Sequence, residues 1–176
     1  ETNGNGFISV SDSSTLDIDM DESLTVAAWF KSVGNQRQFI LQKKNINAVG
    51  LYRPGYFMDL NYQNSTHFVL SDRSSQQSYP IEMVHLSNGE WHHALGVFDR
   101  SNQQARYYIN GLLVDSQSAV LADLSNDGDL IIGRRSSADN LDGSIDEVRI
   151  YDRALSVSEV WALYQMESAL PAESVT

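Results

Sequence analysis

Gly143-Ser-Ile-Asp-Glu-Val-Arg-Ile-Tyr-Asp-Arg-Ala-Leu155 decides how the rest of the chain is read. Ile145, Val148 and Ile150 are β-branched and are separated by charged residues, the mark of a half-buried strand. The run then turns away at Asp152-Arg-Ala-Leu155. Ser156 is followed three residues later by Glu159, the spacing of a capping box, so a short helix is predicted from Val157 to about Gln165. Val160, Trp161 and Tyr164 are available to pack that helix down. A last strand closed by a capped helix requires a sheet already in place to receive it.

Working back from that strand, several short segments carry strand signals bounded by turn residues. They are Phe7–Val10, Leu24–Lys31, Gln38–Gln42, Gly55–Tyr62, His67–Leu70, Trp91–Phe98, Ala105–Val114 and Leu130–Gly133. Within the fourth, Tyr56, Met58, Leu60 and Tyr62 share one face, and Phe57, Asp59 and Asn61 the other. Asn110-Gly111 is a turn or bulge signal inside the Ala105–Val114 run. Residues 71–90 read as a long polar connection. Short strands at regular spacing with a single helix indicate an all-β, two-sheet antiparallel sandwich with one short C-terminal helix. Residues 1–6 read as a linker, 7–166 as the domain, and 167–176 as a linker tail.

The resemblance to a known family rests on four ordered blocks. They are Leu24-Thr-Val-Ala-Ala-Trp-Phe-Lys31, Trp91-His-His-Ala94 with Phe98-Asp99, Arg106-Tyr-Tyr-Ile-Asn-Gly-Leu-Leu-Val114, and Gly143 through Ser156. Together they resemble the laminin-G-like jelly-roll domains of the concanavalin A-like lectin/glucanase superfamily, which are related to pentraxins. The likeness covers about residues 7–165. It implies a jelly-roll topology, and it leaves function open because one fold hosts many activities.

Composition narrows the classes. With 176 residues, 41% of them hydrophobic, one core of ordinary size is expected. A net charge of −11 opposes binding to nucleic-acid phosphates. No apolar run approaches the ~18 residues of a membrane-spanning helix, so membrane insertion is not expected. Cysteine is absent, so no disulfide framework is available. The loop-rich, Asp- and Asn-rich composition suits an extracellular or cell-surface module, of bacterial source, joined to other domains of the same parent chain.

Catalytic signals are missing. Asp17-Ile-Asp-Met-Asp-Glu22 superficially resembles a glucanase signature. A retaining mechanism needs two carboxyls about 5 Å apart, and residues four apart on a strand are ~13 Å apart. His92 and His93 are adjacent on a strand, point to opposite faces, and cannot readily chelate one ion. No nucleophile elbow or zinc-protease motif occurs.

Two sites are expected instead. The resemblance implies a structural Ca²⁺ near the junction of the first loop and the last strand, held by Asp12, Asp17 and Asp146. Asp146 reads equally as a carboxylate capping the N–H groups of that loop. Asp127 and Asp129 read as plain turn residues. A glycan or polysaccharide, bound through aromatic faces and planar polar groups, would use Tyr62, Arg73, Arg106 and Tyr108; the arginines favour an acidic glycan. The sequence therefore points to a non-catalytic, lectin-like carbohydrate-binding module. An adhesion or spacer domain is the second reading and a glycan-degrading enzyme the third.

Overall fold

The computed structural model describes residues 6–44, 52–61, 65–80, 86–135 and 139–169. Its architecture is the expected jelly-roll sandwich of two antiparallel sheets. The first sheet contains β1 (Ile8–Val10), β3 (Gln38–Lys44), β4 (Gly55–Leu60), β5 (Thr66–Ser71), β6 (Gln76–Pro80) and β10 (Leu130–Ile132), in the order β1-β10-β3-β4-β5-β6. The second contains β2 (Leu24–Ser32), β7 (Trp91–Asp99), β8 (Gln104–Ile109), β9 (Leu112–Ser118) and β11 (Gly143–Tyr151), in the order β11-β2-β7-β8-β9. The helix, α1, runs Val157–Ser168 behind the predicted capping box of Ser156 and Glu159. Among the described residues no helix is long and apolar enough to cross a membrane.

Alternation fills the space between the sheets. Leu24, Val26, Ala28 and Phe30 of β2, Ala94 and Phe98 of β7, and Tyr107 and Ile109 of β8 face Tyr56, Met58, Leu60, Phe68 and Leu70 of the opposite sheet. Each large apolar side chain so buried contributes about 1.5–3 kcal/mol. Thr66 Oγ1 and Tyr107 OH, 2.5 Å apart, join the layers by a buried hydrogen bond. At the centre, Phe68 lies on the bare backbone of Gly96, where a Cβ would sit 2.5 Å from the ring.

The segment that decided the reading behaves as expected, with one irregularity. Ile145, Val148 and Ile150 all pack on the core, although Ile145 and Val148 are three residues apart. Strict alternation would place them on opposite faces. A bulge between Asp146 and Arg149, with Glu147 at φ 49°, absorbs the extra residue.

Two expectations need correction. Ala105–Val114 is not one strand: Asn110 and Gly111 adopt φ 50° and 76°, as a tight type I′ hairpin requires, and split it into β8 and β9. The polar connection at 71–90 contains a strand, β6, whose Gln-Gln-Ser-Tyr-Pro sequence lacks apolar alternation.

Candidate functional site

Lys43 stands where calcium was expected. Its ammonium is fully buried, 2.8 Å from Asp12 Oδ1, 3.1 Å from Asp17 Oδ1 and 2.7 Å from the Asn126 carbonyl oxygen. Asp146 is not with them. It is exposed on β11, where its Oδ1 accepts from the Glu147 N–H of the bulge. Among the described residues no three His, Asp or Glu side chains gather to hold an ion. The Asp12, Asp17 and Asp146 set does not fit Ca²⁺: an ammonium donates to the two carboxylates that remain, and the third belongs to the other sheet. The capping role read for Asp146 falls to Asp129, which accepts from the Asp12 N–H and the Ser9 hydroxyl and so ties the first loop to the approach to β10.

Arg106 and Tyr108 point outward from β8, as expected, but not into solvent. Helix α1 covers that face: Tyr108 is 1% exposed among Ala27, Leu95, Val97, Leu155, Val160 and Leu163. Arg106 donates to the Leu155 carbonyl oxygen at 3.1 Å. They are parts of the helix seat and are unavailable to a glycan. The seat is locked by Glu167 in the last turn of α1. Its buried carboxylate accepts from Trp29 Nε1 at 2.8 Å and from Arg149 Nε at 2.5 Å. His93, fully buried beside Trp29, has its pKa lowered to about 4 by burial and by the charge of Arg149. Trp29 and Tyr164 stack at 5.8 Å, closing the lid.

Arg73 is exposed in the β5–β6 turn, and Tyr62 lies outside the described residues. The register places Ser71 opposite both Gly55 and Gln76, and Gly55 opposite Lys44. Arg73 therefore lies at the end of the six-stranded sheet where Lys44 and Gln76 also lie, and the outer face of that sheet is what sequence reading missed.

No described helix or strand packs over it. Its floor is Phe39, Phe57 and Val69, with the two rings 5.3 Å apart. Cations roof the rings. Arg37 and Arg135 stand 4.9 and 4.8 Å from the Phe39 centroid, and Lys44 stands 5.3 Å from that of Phe57. Asp59, fully buried, joins Arg37 at 2.5 Å and His67 Nδ1 at 2.9 Å. Arg135 pairs with Asp139 at 2.6 Å. Lys44 has no carboxylate among the described residues: its Nζ donates to Gln76 Oε1 at 3.1 Å. Burial, then the charges of Arg53, Arg135 and Arg37, lower its pKa to about 8. The face thus offers guanidinium, imidazole, ammonium and amide groups over an aromatic floor, the chemistry that fixes hydroxyls and anions. The partition of Phe57 and Asp59 from Tyr56 and Met58 was the available signal. The neighbours from β3 and β5 come together only in the fold.

A family model described as the concanavalin A-like lectin/glucanases superfamily, of laminin G type, matches residues 2–161. No curated protein matches the sequence. Among solved structures, the chain is similar to the binding domain of botulinum neurotoxin serotype G, at 20% identity and TM-score 0.75, covering 94% of this chain and 41% of that one. It is also similar to native heptameric SAP-like pentraxin from Limulus polyphemus, at 17% identity and TM-score 0.60, covering 90% and 81%. A third is a structure of botulinum neurotoxin type C, whose cell entry depends on interaction with two ganglioside molecules, at 18% identity and TM-score 0.67, covering 91% and 39%. The chain spans about two fifths of the toxin chains, and at these identities the likeness is one of fold.

Proposed function

We propose that this chain, which belongs to the concanavalin A-like lectin/glucanases superfamily, is a non-catalytic carbohydrate-binding module that holds a glycan against the outer face of its six-stranded sheet. The observation that carries the reading is the asymmetry between the two outer faces. One is sealed by α1 and Glu167. The other presents Arg37, Lys44, Arg135 and His67, each partly exposed, above a buried layer of Phe39, Phe57, Gln42 and Asp59. Guanidinium, ammonium and imidazole groups held in place by the rings beneath them suit sugar hydroxyls and anions. Hydrolysis would call for two carboxyls facing the substrate; among the described residues, Asp59 and Asp139 on this face are engaged with cations. Ganglioside dependence is a property of a toxin chain more than twice this length, so glycan binding enters here as a proposal. An extracellular or cell-surface setting, within a longer parent chain, belongs to the same proposal.

A glycan array followed by amide chemical-shift mapping tests it. Shifts confined to β3, β4, β5, β6 and the segments carrying Arg37, Arg53 and Arg135 support this face. Binding that maps to the loop rims, or no glycan binding at all, overturns it.

A second reading has one observation behind it. Edge strand β9 exposes Leu112, Leu113 and Val114, with Trp161 also exposed on α1. An apolar edge of this kind suits a protein partner, as in an adhesion or spacer domain.

A further inference from the structure

Electrostatics on the six-stranded face narrows the class of glycan. We infer that this face takes the negatively charged group of an acidic glycan, received by Lys44 among Arg37, Arg53 and Arg135. The inference rests on the carbohydrate-binding reading above and adds the charge of the ligand to it.

Three observations carry it. The first is distribution. Four of the chain's twelve lysines and arginines meet here, since Arg53, Arg135 and Arg37 all act on the charge of Lys44, in a molecule whose net charge is −11. The second is partial compensation. Arg37 has Asp59 and Arg135 has Asp139, whereas among the described residues Lys44 has only the neutral amide of Gln76. The third is the environment of that ammonium. It is half-buried over the Phe57 ring, and the like charges of three arginines oppose its protonation. A carboxylate or sulfate ester placed beside it would relieve that repulsion and accept charge-assisted hydrogen bonds from Lys44 and the neighbouring guanidinia. A neutral sugar would relieve nothing.

The groups facing Lys44 are Arg37 on the approach to β3, Arg53 before β4, Phe57 on β4, Gln76 on β6 and Arg135 after β10. An anion bound among them keeps the ammonium protonated. Affinity is then full below pH about 8 and falls as the pH rises through that value. It also falls with ionic strength.

The experiment is titration calorimetry on the full chain with matched glycan pairs. The pairs are polygalacturonate with its methyl ester, and a sulfated galactan with its desulfated form; inorganic sulfate is measured alone. Binding of one or both acidic members, with the neutral partner at least tenfold weaker, is the expected result, and which pair responds separates carboxylate from sulfate. Lys44→Gln weakens that binding about tenfold, the scale of one charge-assisted hydrogen bond, and leaves Tm unchanged or raised because a repulsion is removed. Arg153→Gln, on the far side of the sandwich, binds as wild type. Equal affinity for both members of each pair overturns the inference and leaves the carbohydrate reading standing. So does undiminished binding by Lys44→Gln. Binding of sulfate as tight as that of the glycan reduces the face to a bare anion site and overturns the inference. Absence of binding by any glycan removes both readings.

Discussion

Replacing Lys43 by methionine separates an internal ammonium from a metal as the cation of the first loop. Methionine keeps most of the aliphatic stem and removes the charge. The wild-type ammonium makes three contacts of 3.1 Å or less, to Asp12, Asp17 and the Asn126 carbonyl oxygen. Hydrogen bonds to charged groups contribute about 1.5–3 kcal/mol each, and breaking a buried ion pair costs about 3–5 kcal/mol. The Asp12 and Asp17 side chains keep 37% and 22% of their exposure, so water rehydrates them once the ammonium has gone. The loss therefore lies at the low end, about 3 kcal/mol. For a chain of this length each kcal/mol moves Tm by about 2–4 °C, so the variant should melt about 6–12 °C lower. Calorimetry on wild type and variant, each with calcium and with chelator, is the assay. Wild type should be indifferent to both. Lys43→Ala, which vacates the space beside three oxygens, should regain part of its loss when calcium is added. A drop below about 2 °C in Lys43→Met refutes the ammonium as a structural cation. A wild-type Tm that follows calcium refutes the replacement of metal by lysine.

Three further outcomes follow from the helix seat. His93 titrates near 4 in the fold against an ordinary 6.5, so between those values the unfolded chain holds the extra proton. Stability should therefore be full above pH 6.5 and fall as the pH drops toward 4, and His93→Leu should flatten that slope in denaturant titrations across the range. Tyr108→Phe removes a buried hydroxyl with no hydrogen-bond partner among the described residues, so stability should hold or rise by up to about 1 kcal/mol in urea melts, with glycan affinity unchanged. Glu167→Gln weakens the ties to Arg149 and Trp29, so we expect about 2–3 kcal/mol lost and faster tryptic cleavage at Arg153.

The sheets were legible because their signals are local. Ile145, Val148 and Ile150, the Ser156–Glu159 box and the alternation of β2, β7 and β8 each fit within a few residues. β6 escaped because an edge strand need not alternate in hydrophobicity. The outer face of the six-stranded sheet escaped for a different reason. Phe39, Phe57, Asp59, His67 and Arg135 come from four separate segments, and their common orientation exists only once β3, β4, β5 and β10 have paired. Arg106 and Tyr108 failed as site residues although their direction was right, because alternation tells which way a side chain points and not what later packs over it. Asp12 and Asp17 were rightly brought together, but the cation between them is supplied by Lys43.

Phe68 resting on Gly96 sets the gap between the layers at one point. The two positions therefore cannot vary separately. A methyl group at 96 alone forces the ring aside, and a smaller residue at 68 alone leaves a void, whereas both changes together can restore the fit. Such a coupled pair, 28 residues apart in sequence, records the spacing of the two layers in two letters, one absent side chain answering one large one.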